Sequence, residues 1–432
     1  MATLSSRFAT TVHRYYALRA VGWFTDQLIQ FLLPVLAYQA TGELSWSGIV
    51  LAAQWVPRLM SLPVAGLLAD WFPEQRIYRV NDLVRALLGA AATVLAALFE
   101  SHAFAVVIVF ALLAGVCCEQ VLVVGEKLAG TLVAPQEMHR AQSVLSGIEQ
   151  GTLLLAPVVG GGLLLTGPLP IVAVVAGLFG VSLLLSAGLP RAHGAAVRAP
   201  LPAGSPVVRR LLRDSAAGAR NVVRIPVLRT IVLATMCVNI MLGTIQGAAP
   251  ALVDRYGRSE GALGLVYSVA GLVAMATLTA APRLIRRFGF LGVAVASTVA
   301  QGVVFVALGP TTGFLLFAAL VAVFMAGDSV FSVVIRTLRL RVVISEEFGR
   351  TVAAVSLLNF LSLPLAGGLL AVADPVVPLA VLIPVVGGAA LAGLVVLMAR
   401  LRRYMAAEPV LFAAEQPADA AEQPAPAETS AM

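Results

Sequence analysis

The stretch 190–227, PRAHGAAVRAPLPAGSPVVRRLLRDSAAGARNVVRIPV, divides the chain. It carries Arg191, Arg198, Arg209, Arg210, Arg213, Arg220 and Arg224 against a single acid, Asp214. Pro200, Pro202 and Pro206 interrupt any helix near its start. From Val207 to Val223 the pattern predicts an amphipathic helix lying on a membrane face. On both sides the sequence turns into apolar runs, each near the ~20 residues that cross a hydrocarbon core. Six runs precede the stretch, at about 17–38, 46–69, 80–99, 104–127, 141–165 and 170–189. Six follow, at about 228–252, 262–282, 289–309, 312–335, 351–372 and 377–399. All are expected to be helices, because a lipid-facing backbone must satisfy its own hydrogen bonds. The expected fold is an all-α membrane protein with twelve transmembrane helices in two six-helix bundles. Its parts are 1–189, the basic cytoplasmic linker 190–227, 228–403, and a disordered cytoplasmic tail at 404–432 rich in Ala, Pro and Glu.

Composition points the same way. The chain is 59% hydrophobic and 12% charged, against about 25% charged in soluble domains. The net charge of +7 is spread in short groups between apolar runs, without the interleaved aromatics of single-strand binding. No nucleic-acid partner is expected. Cys117, Cys118 and Cys237 all fall inside apolar runs, which argues against a disulfide framework or a thiolate metal cluster. No small-residue cleavage site follows the polar N-terminus, so no removable signal peptide is read there. The only lysine, Lys127, follows no phosphate-binding glycine loop, and no HExxH or nucleophile–base pair occurs. Neither a cofactor nor an enzyme is expected. Arg76, Arg79, Arg140, Arg283, Arg286, Arg287, Arg339, Arg341 and Arg350 fall in alternate connections, with Arg400, Arg402 and Arg403 after the last run. By the positive-inside rule both termini are cytoplasmic.

Carboxylates inside such runs are costly and usually functional. Asp26, Glu119, Glu149 and Asp328 lie near mid-span and are the candidate proton- and substrate-coupling groups. A carboxylate in a poorly hydrated cavity can bind and release a proton near neutral pH. Arg58 follows Gln54 and Trp55 at similar depth, as a partner for Asp26 or for an anionic group on cargo. Gln30, Asn239, Gln246, Gln301 and Asn359 are expected as polar lining, with Trp23, Trp55, Tyr267 and Phe331 as an aromatic wall. The halves also echo each other. Glu137-x-x-Arg140 leads to Pro157 and Gly160-Gly161-Gly162, and Glu347-x-x-Arg350 leads to Pro364 and Gly367-Gly368. Such repeats are common in transporters whose site lies between two bundles.

Six spans, a basic linker and six more resemble the major facilitator superfamily over residues 10–403. Its signature between the second and third helices is similar to Gly66-Leu67-Leu68-Ala69-Asp70, followed by Arg76 and Arg79. Asp82 and Arg85 continue it as in the drug-and-siderophore exporter branch, with departures at Trp71 and Pro73-Glu74. Ala156-Pro157-Val158-Val159-Gly160-Gly161 resembles the end of the antiporter motif, its earlier glycines kept only at Gly147 and Gly151. The first span, with Gly22, Asp26 and Gln27, is locally similar to bacterial relatives of the iron exporter ferroportin. The resemblance implies a monomeric secondary exporter of a small organic molecule in a bacterial-type inner membrane, a siderophore or an amphiphilic drug-like compound, exchanged for protons. The alternatives are a divalent-metal exporter using Asp26, Asn239 and Gln246, or a lipid-type flippase. It further implies that Asp70 latches onto the helix end near Arg350 and Thr351, and that Arg76 or Arg79 binds carbonyls or Asp82. Pro157, Gly160 and Gly161 belong with these gating positions.

Overall fold

The computed structural model describes residues 2–133, 137–189, 207–342, 348–374 and 376–407. The linker's first part, with Arg191, Arg198 and its three prolines, and the tail from 408 lie outside the described residues. So do the side chains of Asp70 and Arg350. The chain is all-α among the described residues. The first bundle comprises α1 (Ala2–Thr41), α2 (Leu44–Trp71), α3 (Glu74–Leu98), α4 (Ala103–Leu132), α5 (Met138–Leu163) and α6 (Pro168–Ala187). The linker helix is α7 (Val207–Arg224), and the second bundle holds α8 (Pro226–Arg255), α9 (Ala262–Leu308), α10 (Phe314–Val342), α11 (Phe348–Ala373) and α12 (Leu379–Ala407). α12 continues past the boundary expected at 403.

α9 holds both spans expected at about 262–282 and 289–309, two helices that join at a kink with a single non-helical residue between them. The chain reverses at Gly289, whose φ of 73° is the left-handed conformation that glycine adopts freely. Arg283, Arg286 and Arg287 therefore sit on helix rather than in a loop.

The ends of the molecule are distinct. The linker end carries α7, whose Val222 packs with Leu228, Val232, Ala354 and Val355, and whose Asn221 amide donates to Thr351 Oγ1 at 3.0 Å. The distal end carries Thr41, Asp254 and Asp374, and there the halves close on each other. Tyr38 donates to Asp254 at 3.0 Å, Gln39 to Glu260 at 3.3 Å, the Ser45 amide to Asp374 at 2.9 Å, and Ser47 to the Gly247 carbonyl at 2.7 Å. Two backbone crossings flank these bonds. A Cβ on Gly48 of α2 would lie 2.5 Å from the Gly367 carbonyl of α11. A Cβ on Gly161 of α5 would lie 2.8 Å from the Gly261 carbonyl at the start of α9. Glycine lets membrane helices approach this closely. The glycines of the two echoed segments thus occupy matching places, one on each side of the molecule. Gly147 and Gly151 face open space instead.

Inside the first bundle, charge joins α3 to α6 and α1. Asp82 and Arg85, both fully buried, pair at 2.9 Å, and Ser182 of α6 donates to the other Asp82 oxygen at 2.9 Å. Arg79 donates to the Ser186 and Leu189 carbonyls at the end of α6. Arg76 is exposed beside the Phe72 ring.

Two outcomes are expected. Gly48→Ala and Gly367→Ala separate α2 from α11, opening the distal end. An impermeant thiol reagent added from that side then labels a Gln246→Cys reporter faster than in the parent. Arg85→Ala leaves Asp82 buried and unpaired, costing about 3–5 kcal/mol. Thermal unfolding of the detergent-purified protein should show a marked fall, with much of it recovered on adding Asp82→Asn.

Candidate functional site

The polar residues of the membrane interior separate into two places. The first is a cavity of about 500 Å³ between the halves. α1 contributes Gln27, Gln30 and Phe31, and α5 contributes Ser146, Glu149, Gln150 and Pro157. From the other half come Gln246 of α8, Tyr267 of α9, and Met325, Asp328, Ser329, Ser332 and Arg336 of α10. On α1 the lining positions 27, 30, 31 and 34 follow the helical i, i+3, i+4, i+7 stripe. Phe31 and Tyr267 meet edge-to-face across the halves, 5.8 Å apart. Gly160 leaves room for this ring, since a Cβ there would lie 2.5 Å from Phe31.

Glu149 and Asp328 therefore face one cavity from opposite halves. Among the described residues neither has an ion-pair partner within 4.0 Å. Arg336 lies two helical turns from Asp328 on the same wall, at the end of the cavity nearer the linker. The Tyr267 hydroxyl is buried with no hydrogen-bond partner. Two carboxylates, one guanidinium, an uncommitted hydroxyl and four glutamines can hold a small polar molecule carrying positive charge or both signs.

The second place lies within the first bundle. Asp26 accepts a hydrogen bond from the Cys118 thiol at 2.9 Å and sits 3.7 Å from Arg85. Arg58 pairs with Glu119 at 3.7 Å and donates to Cys118 Sγ at 3.6 Å. Arg85 is flanked by the Phe179 ring and Arg58 by Trp55. The structure thus places Asp26, Glu119 and Arg58 in a buried network rather than on the cavity wall. The expected partner of Arg58 was Asp26; its ion-pair partner here is Glu119. Helix rotation separates Asp26 from the lining, because it precedes Gln27 and is turned about 100° from it.

The remaining expected lining residues divide similarly. Gln30 and Gln246 face the cavity. At the α2–α11 contact Trp55 stacks on Phe360 at 5.3 Å, while Gln54 and Asn359 each keep a buried side-chain oxygen with no hydrogen-bond partner among the described residues. Asn239 donates to the Asn359 carbonyl at 3.1 Å. Gln301 bonds back to the Ser297 carbonyl, and Phe331 is packed in the core. Asp26, Asn239 and Gln246, the set expected for a metal, do not converge. Among the described residues no group of three or more His, Cys, Asp and Glu side chains is placed to share a metal ion. Ser146, Gln150, Met325, Ser329 and Ser332 were missed. Their signal was the polar stripe on α5 and the serines flanking Asp328 on α10, at helical spacing.

The family model described as Major Facilitator Superfamily matches residues 16–367. No curated protein matches the sequence. Among solved structures, the chain is similar to a D-xylose-proton symporter, with TM-score 0.68 and 11% identity over 90% of this chain and 97% of that one. It is similar to the nucleoside transporter NupG, with TM-score 0.68 and 11% identity over 91% and 99%. A bacterial homologue of the iron transporter ferroportin in the inward-facing state gives 0.67 and 17% identity over 92% and 98%. The outward-facing state of such a homologue gives 0.62 and 18% identity over 92% and 99%. At these identities the likeness establishes the fold and leaves the cargo open. The multi-pass bundle, the cavity between its halves and the family match together make the chain a member of the Major Facilitator Superfamily, a secondary transporter of a small molecule rather than an enzyme.

Proposed function

We propose that the protein exports a small organic cation or zwitterion, of siderophore or amphiphilic drug-like type, in exchange for protons. One observation carries this reading: Glu149 and Asp328, from opposite halves, face the same cavity with no ion-pair partner among the described residues. An unneutralised carboxylate in a low-dielectric space binds either a proton or a cation, and the two compete for it. That competition is one route to antiport. Arg336 offers an anionic or carbonyl-rich part of the cargo a second point of attachment, and Tyr267 a hydrogen bond. Placing charged groups in both halves lets the cargo draw the bundles together as it binds.

The direction of export draws on the Ala156–Gly161 segment, whose family counterpart belongs to exporters, and on orientation. Arg213, Arg220 and Arg224 are exposed on α7, and Arg283, Arg286 and Arg287 lie at the same end. This bias makes the linker end cytoplasmic. The closed distal end is then the outer one, and the cavity receives cargo from the cytoplasm. The linker 190–227, between two cytoplasmic helix ends, joins bundles 1–189 and 228–403 that rock as units, with Asp70, Arg79 and Arg350 holding the inner side in the opposite state.

Proteoliposomes with an imposed pH gradient test this directly, offered a hydroxamate siderophore, ethidium, and Fe²⁺ or Mn²⁺ in separate runs. Gradient-driven movement of an organic compound is expected. Movement of the metal ions alone transfers the reading to metal export, and no dependence on the gradient overturns antiport. Glu149→Gln and Asp328→Asn each remove a charge-assisted contact worth about 1.5–3 kcal/mol. Apparent affinity for a cationic cargo should fall roughly ten- to a hundredfold, at unchanged abundance in the membrane. Tyr267→Phe should have a smaller effect.

A further inference from the structure

The buried network of the first bundle has an imbalance of charge. Its links run from Asp82 to Arg85 at 2.9 Å, Arg85 to Asp26 at 3.7 Å, Asp26 to Cys118 at 2.9 Å, Cys118 to Arg58 at 3.6 Å, and Arg58 to Glu119 at 3.7 Å. Three carboxylates face two guanidiniums. Side-chain exposure is 0% for Asp82 and Arg85, 6% for Arg58 and Glu119, and 17% for Asp26. An uncompensated ionised carboxylate at such burial costs several kcal/mol, and the usual resolution is to take up a proton.

Geometry identifies which carboxylate takes it. Asp82 accepts from Arg85 on one oxygen and Ser182 on the other, and Asp26 is engaged by the Cys118 thiol and Arg85. Each of these two carboxylates is held by two polar neighbours. Glu119 has only the longer contact to Arg58, and its Oε2 is buried with no hydrogen-bond partner among the described residues. Among the described residues its titratable surroundings are Asp26 and, further along, Arg19 on α1, Arg58 on α2, Asp82, Arg85 and Tyr78 on α3, and Cys117 and Cys118 on α4, while α6 contributes Ser182. We propose that this network binds one exchangeable proton, resident on Glu119, and is a proton site separate from the cargo cavity.

A polar route reaches the network from the linker end. Glu126 is half-exposed there and pairs at 3.2 Å with Arg19, which is itself buried. The Tyr78 hydroxyl lies 3.6 Å from where Gly22 would carry a Cβ, between Arg19 and Asp26 along α1, with Arg19, Asp82 and Arg85 as its neighbours. At the other side Trp55 stands between Arg58 and Phe360 of α11. Parting of α2 from α11 breaks that stack and opens the Arg58–Glu119 pair to the cleft. The proton then has one door on each side, and α1 joins its site to the cavity wall. The use of this proton in transport rests on the antiport reading, whereas its presence does not.

Infrared difference spectroscopy of the purified full-length protein decides the matter without any cargo. At neutral pH the wild type should show the carbonyl stretch of a protonated carboxylic acid, shifting on transfer to D₂O. That component should be lost in Glu119→Gln. It should also be lost in Asp26→Asn, where two carboxylates and two guanidiniums balance without a proton. Glu149→Gln should retain it. A spectrum unchanged by Glu119→Gln, or a component that fails to shift in D₂O, overturns the proposal. The antiport reading is judged separately by the vesicle experiment, so either can fail alone.

Discussion

The organisation of this molecule follows from the cost of leaving a charge unpaired where water is scarce. Two solutions occur side by side. In the first bundle, Asp82, Arg85, Asp26, Arg58 and Glu119 are linked pair by pair and sit almost wholly out of solvent. Between the bundles, Glu149, Asp328 and Arg336 line an open space of about 500 Å³ instead. The network makes the first bundle specific in its packing, since the Asp26–Arg85 and Arg58–Glu119 pairs and the Ser182–Asp82 bond each fix the rotation of two helices. The cavity groups fix nothing until something enters, which suits a site that must be occupied and vacated.

Closure at the distal end depends on a different property, the absence of side chains. Gly48 against Gly367 and Gly161 against Gly261 bring backbones into contact on both flanks of the cleft. Each crossing joins one helix from each half, so the pair acts as a matched set of bearings. Hydrogen bonds such as Tyr38–Asp254 and Ser47–Gly247 then secure the contact. Such bonds are modest individually, at about 0.5–1.5 kcal/mol net, which makes the closed end reversible. A transporter needs that balance, because a deeply stabilised state would trap its cargo.

Much of the fold was legible because the bilayer restricts what a sequence can do. Run lengths gave the helices, the arginine-rich linker gave the division, and the Gly-rich echoes marked the two crossings. Position along each helix was legible too: Asp26, Glu119, Glu149 and Asp328 all lie near the middle of their helices, as residue counts alone suggested. Azimuth was not. Whether Asp26 faces the cavity or Arg85 depends on a rotation of about 100° per residue, set by packing against α3 and α4. Arg58 shows the same gap, since it follows Trp55 on a helix that touches α4 on one side and α11 on another. The reversal within α9 was expected between 282 and 289, but not that a single glycine makes it, because Gly289 resembles the many other glycines of the chain.

The position of α1 connects these points into one mechanism. Its Asp26 belongs to the ion network, while Gln27, Gln30 and Phe31 belong to the cavity wall. A helix with two such faces cannot rotate or tilt without altering both. When cargo binds against Gln30 and Phe31, any shift of α1 changes the distance from Asp26 to Arg85, already 3.7 Å and the looser of that arginine's two pairs. Lengthening it frees Arg85 for Asp82 alone and leaves Asp26 less compensated. On the proposal that the network holds a proton, the arrival of cargo changes that hold. Coupling of this kind needs no shared binding site, only a shared helix whose two faces are held by different chemistry.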